Sequence, residues 1–339
     1  MGISNQVARL IVREHRCRPV TGNLLMIGRQ TVQLTPDQAV QLVEAETETK
    51  ITTKASYLEI DDRTRNAHGR HFVSDRAFFS LFSQAEYHCL DVSSYEGAQI
   101  VFDLCDPSLP EKYEGRFDFI YDGSSLDNIF DPAQAIRNLA RLLKPGGRII
   151  QVNRSSRTHS EYVAFALSWF HDFYSVNQFD DCQVFLAQHD GETRWDFYRY
   201  DPLREQNGIP ELFGQDTYYF PWRHANAVVV AEKSSNSTWH KTPVQYQYRA
   251  GVPGIFANGT YETLGQSTRD YAADPYVRAA LRFRQSERAK LLIKPDEKTK
   301  LPSEFLHYAP QISYCGSLDR LAETSSPLER RRPNRIRDR

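Results

Sequence analysis

The feature that most constrains the fold is a repeated alternation of short apolar runs with helix-like segments. The apolar runs lie at residues 23–28, 87–92, 99–104, 117–122 and 148–152. Each has the length of a buried strand, and helix-like periodicity lies between several of them. Strands that alternate with helices are typical of a parallel sheet with helices on both faces. The sequence therefore predicts an α/β fold with a doubly wound, mostly parallel sheet.

Composition excludes several classes of protein. The 339 residues carry 42 Lys and Arg against 43 Asp and Glu, and the net charge of -1 gives no global attraction to nucleic acid or an anionic membrane. No run approaches the roughly 18 apolar residues of a membrane span, and the first residues do not resemble a signal peptide. The five cysteines are scattered without a CxxC pair, which argues against a zinc site or a disulfide framework. We expect a cytoplasmic protein with no metal and no membrane partner.

The same pass divides the chain into segments. We expect the α/β domain at residues 1–233, with a helical insertion at about 50–83 and an aromatic region at about 161–222 that either walls a substrate pocket or packs an added layer. Residues 234–316 are predicted to be an irregular C-terminal extension with one helix. Residues 317–339 end in an arginine-rich stretch and are predicted to be a disordered basic tail, for which nucleic-acid binding is less favoured than solvation.

Aspartates end three of the predicted strands. They are Asp91, Asp103 and Asp122. In an open parallel sheet, ligands bind at the carboxyl ends of the strands, where these side chains would meet a ribose, a base amine and a reacting group. Three carboxylates suit a nucleoside without phosphate, since a phosphate would be repelled. The alternative is that each aspartate only caps a helix or forms a turn.

Two motifs carry a resemblance to a known family. The segment LLKPGGRII at residues 142–150 and the segment FDFIYDGSSLDN at residues 117–128 are similar to the fifth-strand turn and the fourth-strand motif of class I S-adenosylmethionine-dependent methyltransferases. The resemblance covers about residues 22–233 and implies a Rossmann-like fold with S-adenosyl-L-methionine as cofactor. By that resemblance Asp91 would hold the ribose, Asp103 with Leu104 the adenine, and Asp122 with Gly123 the methionine end.

The first loop departs from the family pattern. Where the family carries a glycine-rich run after an acidic residue, this chain has MIGRQTV at residues 26–32, with Gly28 as its one glycine. Gly28 still permits a close backbone approach, and Arg29 or Gln30 could contact the carboxylate end of the cofactor. About 58 residues separate the first and second predicted strands, which indicates an insertion that forms a lid or an extra helical layer.

The candidate catalytic residues follow the last two parallel strands. His159 comes after the fifth strand and could accept a proton from an acceptor hydroxyl, although a surface or capping role is the alternative. Asp127 is the next candidate, with turn formation as its alternative. The sequence thus predicts methyl transfer to an oxygen or nitrogen of a small molecule, such as a sugar or natural product. The rival hypothesis is a noncatalytic binding or scaffold subunit of the same fold.

Overall fold

One nine-stranded sheet organises the part of the chain that the computed structural model describes, residues 2–156, 161–189, 194–202, 224–244, 275–293 and 312–319. Its strands are β1 (Asn23–Ile27), β2 (Glu86–Asp91), β3 (Ile100–Val101), β4 (Phe117–Gly123), β5 (Leu143–Arg154), β6 (Asp181–His189), β7 (Arg194–Tyr200), β8 (His224–Glu232) and β9 (Ile312–Asp319). Each of the five apolar runs overlaps one of the strands β1 to β5. Hydrophobic periodicity and run length in the sequence therefore predicted the positions of the parallel strands.

The strand order is β3-β2-β1-β4-β5-β8-β6-β7-β9. Strands β1 to β5 pair in parallel, whereas β8 is antiparallel to β5 and β6, and β7 is antiparallel to β6 and β9. Only β7 and β8 run against the other strands of the described sheet. The predicted doubly wound, mostly parallel α/β sheet is confirmed. Because β1 pairs with β2 on one side and β4 on the other, the switch point and its crevice lie at the carboxyl end of β1.

Helices cover both faces of this sheet. They are α1 (Asn5–Cys17), α2 (Pro36–Thr47), α3 (Asp75–Ser80), α4 (Pro132–Leu142), α5 (Leu167–Val176), α6 (Pro275–Gln285) and α7 (Arg288–Leu292). Buried side chains of α1, α2, α3 and α7 form one apolar core with one face of the sheet. Those of α4, α5 and α6 form a second core with the other face. The loops at the carboxyl ends of the strands thus stand on a scaffold packed from both sides.

Helix starts follow the capping signals in the sequence. Thr35 and Gln38 form a reciprocal capping box at the start of α2, with Pro36 in the first turn. Asp131 accepts a hydrogen bond from the backbone N–H of Gln134 at the start of α4. Each cap satisfies backbone donors that a helix start would otherwise leave unpaired.

The insertion predicted at residues 50–83 is mostly loop. Its helical content is confined to 3-10 turns at Ala55–Tyr57 and Arg65–Ala67 and to the short helix α3. An isolated antiparallel bridge joins Ile60 to Val73 and folds the loop back on itself. This path brings Asp75, at the start of α3, against the loop that follows β1.

The C-terminal extension contributes to the sheet and to both cores. The described part of the extension contains α6, α7 and β9, where one helix in irregular chain was predicted. Ser317–Asp319, which we assigned to the tail, belong to β9, because their backbone pairs with that of β7. In the aromatic region, Trp195, Phe197 and Tyr198 are buried in β7, which favours the packing alternative for that strand.

Candidate functional site

The site begins where β1 and β2 end side by side. The backbone N–H of Gly28 donates to the carbonyl of Leu90 at 2.8 Å, which continues the parallel pairing past the end of β1. Gly28 has φ +66°, a left-handed conformation that favours glycine, and a Cβ there would lie 3.3 Å from Oδ2 of Asp91. Asp91 is half-buried, and its Oδ1 accepts a long bond of 3.4 Å from the N–H of Ser93. The structure therefore brings Gly28 and Asp91 together and leaves the carboxylate with acceptor capacity.

The end of β3 supplies the neighbouring wall. The N–H of Phe102 donates to the carbonyl of Asp91 at 2.9 Å, so the two predicted nucleoside segments are joined directly. Asp103 is exposed and its Oδ1 accepts from the N–H of Cys105 at 2.8 Å, which is a turn-forming contact. Leu104 is buried in the core against this turn. Asp103 thus already serves its turn alternative, while its second oxygen stays on the exposed side.

Arg29 is held by a carboxylate that the sequence analysis missed. Its guanidinium lies 2.7 Å from Oδ1 of Asp75, a residue that is fully buried at the start of α3. Tyr87 Oη donates to the same carboxylate at 2.8 Å, and the Gln30 N–H does so at 2.9 Å. Burial alone would lower the pKa of Arg29, but the charge of Asp75 raises it overall. The Arg29 charge is therefore engaged inside the protein, where it holds the loop, and its predicted contact with the cofactor stays a prediction.

The Gln30 side chain lies across the ends of β1 and β4. Its Nε2 donates to the carbonyl of Ile27 at 3.0 Å, and its amide packs against Gly123 in the space that a Cβ on Gly123 would fill. Gln30 is buried, and its Oε1 has no hydrogen-bond partner among the residues that the structure describes. Gly123 is buried beneath it. Of the residues predicted for the methionine end, Gln30 and Gly123 are thus in direct contact.

Asp122 points into the protein. Its carboxylate is fully buried and accepts hydrogen bonds from Asn153 Nδ2 at 2.9 Å, Gln151 Nε2 at 3.2 Å and the Ser125 N–H at 2.9 Å. Burial raises the pKa of Asp122, and the three hydrogen bonds act against that change. The two amide donors join β4 to β5, and the Ser125 N–H closes the turn after β4, so the carboxylate has a structural role. Its predicted contact with the cofactor stays a prediction.

Asp127 is also enclosed by donors. Ser124 Oγ donates to its carboxylate at 2.6 Å, the Arg154 N–H at 2.8 Å and Asn128 Nδ2 at 2.9 Å. Burial raises the pKa of Asp127, and the Ser124 hydrogen bond opposes that rise. Ser124 adopts φ +69°, which bends the chain away from β4 at this point. The geometry favours the turn-forming alternative for Asp127 over the role of a base.

A second polar group at this edge was not predicted. The Arg154 guanidinium bonds Glu161 at 3.2 Å and Asn226 Oδ1 at 3.4 Å, and Asn226 Nδ2 lies 3.3 Å from His189 Nε2. The His189 ring stacks on Trp195, with 4.6 Å between ring centroids. The only signal for this group was that polar residues end β5 and β6. His159, the predicted base, lies outside the described residues.

Metal and membrane features are absent from the described ranges. In that part of the chain, no three His, Cys, Asp or Glu side chains are placed to share a metal ion. None of its helices has the length and apolar character needed to cross a bilayer.

Fold and site together define a class of protein. The mostly parallel sheet, with β8 antiparallel to β5 and helices on both faces, has the Rossmann-like arrangement of methyltransferases. Residues 83–151 match the family model described as a methyltransferase domain. The matched residues include both sequence motifs, and the resemblance stated from them is confirmed over this range.

Solved structures of low identity resemble the chain. They include a 1,6-didemethyltoxoflavin-N1-methyltransferase of Burkholderia thailandensis, with 13% identity, 68% of this chain and 78% of that chain covered and a TM-score of 0.34. The citrinin polyketide synthase CMeT domain has 10% identity, coverage of 68% and 52% and a TM-score of 0.34. Phosphoethanolamine N-methyltransferase 2 of Haemonchus contortus has 14% identity, coverage of 67% and 52% and a TM-score of 0.33. The matches thus span about half the length of the last two. No curated protein sequence matches this chain.

The residues present fit the two ends of S-adenosyl-L-methionine differently. The Cβ position of Gly28 lies 3.3 Å from Oδ2 of Asp91, a carboxylate with spare acceptor capacity, which suits the hydroxyls of a ribose. At the methionine end, Gln30 Oε1 is a buried acceptor without a partner among the described residues. A hydroxyl-bearing nucleoside and a donor group are therefore the chemistry that this edge can hold.

Proposed function

We propose that this protein is an enzyme that transfers a methyl group from S-adenosyl-L-methionine to an oxygen or nitrogen of a small molecule. The observation that carries the proposal is the juxtaposition of Gly28 and Asp91 at the switch point, within a chain that carries a match to a methyltransferase domain. The cytoplasmic location expected from the sequence belongs to the same proposal.

Each binding residue acts through a simple contact. Asp91 accepts hydrogen bonds from the ribose hydroxyls, and the left-handed Gly28 lets the ligand approach the backbone. Leu104 and Asp103 take the adenine ring and its amine. When bound, the cofactor supplies a methyl group on a cationic sulfur. The protein's own contribution is to hold the acceptor in line with that group and to exclude water.

Proton removal by a base contributes less to this reaction than the alignment of the acceptor with the methyl group. His159 remains the proposed proton acceptor, because it follows β5 in the sequence and an imidazole can accept a proton near neutral pH. The group formed by Arg154, Asn226 and His189 lies at the same edge, and its polar side chains suit a hydroxylated acceptor. The His189 ring itself stacks with both Trp195 and His224. Acceptor binding by this group is part of the proposal.

Calorimetry with S-adenosylhomocysteine tests the cofactor site. We expect binding to the wild type, and we expect Asp91→Ala to weaken it by about 1.5 to 3 kcal/mol, because charge-assisted hydrogen bonds to the ribose are lost. Ser93→Ala is the matched control, since the Ser93 contact with Asp91 runs through its backbone N–H. Absence of binding to the wild type at millimolar ligand would contradict the proposal.

The second candidate function is a noncatalytic scaffold. It is favoured by the side chains in the first loop, where Arg29 is paired with Asp75 and Gln30 lies against Gly123. A scaffold of this kind would fail to bind S-adenosylhomocysteine even though it is fully folded. The same calorimetric experiment therefore separates the two functions.

A further inference from the structure

The Gln30 amide has a fixed orientation. Nε2 lies 3.0 Å from the carbonyl oxygen of Ile27, and only the NH2 group can donate there, since the other amide atom is itself an acceptor. The opposite orientation would set two acceptor oxygens against each other. Oε1 is therefore the atom that faces Gly123.

Oε1 is an acceptor with nothing to accept from the described part of the chain. It is buried, as is the whole Gln30 side chain at 5% exposure, and none of the described residues donates a hydrogen bond to it. A buried polar atom without a partner is unfavourable, and most such atoms in native proteins are satisfied. An incoming donor would remove this deficit.

The backbone at Gln30 is held in place by a hydrogen bond to a buried carboxylate. Its N–H donates to Asp75 Oδ2 at 2.9 Å, and the same carboxylate binds the preceding Arg29. Asp75 is fully buried, so this anchor is shielded from water. The side chain thus projects from a fixed point toward the gap between β1 and β4.

Two polar side chains flank the open side of Gly28. The position of a Cβ on Gly28 is 3.3 Å from Asp91 Oδ2 and 3.9 Å from the Gln30 amide nitrogen. A ligand that lies over Gly28 therefore meets the Asp91 carboxylate on one side and Gln30 Nε2 on the other, while Gln30 Oε1 lies against Gly123. A nucleoside with hydroxyls on its sugar suits Asp91, and a donor on its tail would have to reach Oε1 beside Gly123.

We propose that Gln30 Oε1 accepts a hydrogen bond from the α-ammonium group of S-adenosyl-L-methionine and so takes the place of the acidic residue that is missing before Gly28. This inference rests on the proposed function. Gln30 is then a positioning residue that selects a nucleoside with an amino-acid tail. The competing possibility is that Gln30 is a plug that fills the methionine cleft.

The test compares two ligands by calorimetry. S-adenosylhomocysteine carries the amino-acid tail, and 5′-methylthioadenosine lacks it. We expect Gln30→Met, which keeps the length and loses the acceptor, to weaken S-adenosylhomocysteine binding about tenfold or more and to leave 5′-methylthioadenosine binding unchanged. Gln33→Met, three residues along the same loop and half-buried, is the matched control and should change neither affinity.

A second variant separates an acceptor from a plug. Gln30→Ala removes the acceptor and also empties the space beside Gly123, so we expect weaker binding of S-adenosylhomocysteine. Tighter binding than the wild type would show that Gln30 is a plug and would overturn the inference. Equal effects of Gln30→Met on both ligands would overturn it as well. Thermal unfolding of each variant shows that the loop still folds.

The outcomes separate this inference from the proposed function. If the wild type binds S-adenosylhomocysteine in a manner that depends on Asp91 but not on Gln30, only the inference fails. If neither ligand binds the wild type, the proposed function fails and the inference with it.

Discussion

The switch point has two halves, one beside β2 (Gly28 and Asp91) and one beside β4 (Gln30, Asp122 and Gly123). They differ in how their polar groups are paired. On the β2 side, Gly28 and Asp91 face each other with little between them, and Asp91 keeps acceptor capacity. On the β4 side, Asp122 is enclosed by three donors and Gln30 covers Gly123. The carboxylate in the first half keeps acceptor capacity, whereas the carboxylate in the second half is already paired with donors of the protein.

This difference shows where each half obtains its order. The β2 half needs only strand pairing and one left-handed glycine to set its geometry. The β4 half depends on Asp75, which comes from the long insertion and organises Arg29 and Gln30. A glycine-rich loop would be shaped by its backbone, whereas this loop is shaped by a buried ion pair. We therefore expect the loss of that ion pair to lower the free energy of unfolding.

The largest expected effect is that of Asp75→Ala. It leaves the Arg29 guanidinium buried without its carboxylate, and removing one partner of a buried ion pair typically costs about 3 to 5 kcal/mol. The free energy of unfolding from urea titration measures the loss. Asp62→Ala is the control, since the Asp62 side chain is 83% exposed and should change stability by less than about 0.5 kcal/mol. A loss of under about 1 kcal/mol for Asp75→Ala would mean that the loop does not depend on this anchor.

A smaller effect sharpens the comparison between the two aspartates. Asp122→Ala leaves the donors of Ser125, Gln151 and Asn153 unpaired and should lower the free energy of unfolding by about 1 to 3 kcal/mol. Asp91→Ala should leave stability within about 0.5 kcal/mol of the wild type, because the carboxylate is half-buried and weakly engaged. Urea titration of the two variants at one pH measures both. Equal losses would contradict the division into an open and an enclosed half.

The sequence predicted the parallel strands because hydrophobic periodicity and the length of each apolar run identify buried strands. The runs that became β1 to β5 are continuous and apolar, and the capping residues Thr35 and Asp131 stand at the starts of α2 and α4. Strand β9 was missed, because pairing with β7 depends on a contact more than a hundred residues away in the chain. Local patterns carry no information about such a partner.

The site was predicted unevenly for a related reason. Asp91 and Gly28 follow their strands directly, so strand assignment alone placed them together. Arg29 was expected to meet a ligand because Asp75, 46 residues later, could not be foreseen as its partner. An aspartate after a strand looks the same in sequence whether it faces solvent, as Asp103 does, or the interior, as Asp122 does. Only the folded structure distinguishes the two cases.

The last and smallest effect concerns pH. Burial raises the pKa of Asp122 in the folded state above its ordinary value of 3.8, so the folded protein holds more protons than the unfolded chain just above that pH. Its contribution to stability is therefore present at lower pH and is lost as the pH rises through the folded pKa. Asp122→Asn does not titrate, so its free energy of unfolding relative to the wild type should rise as the pH increases above about 4. Urea titrations across that range measure the difference, and Asp91→Asn gives the reference for a carboxylate on the open half. A constant difference in free energy of unfolding between Asp122→Asn and the wild type at every pH would show that burial does not raise the pKa of Asp122 in the folded state.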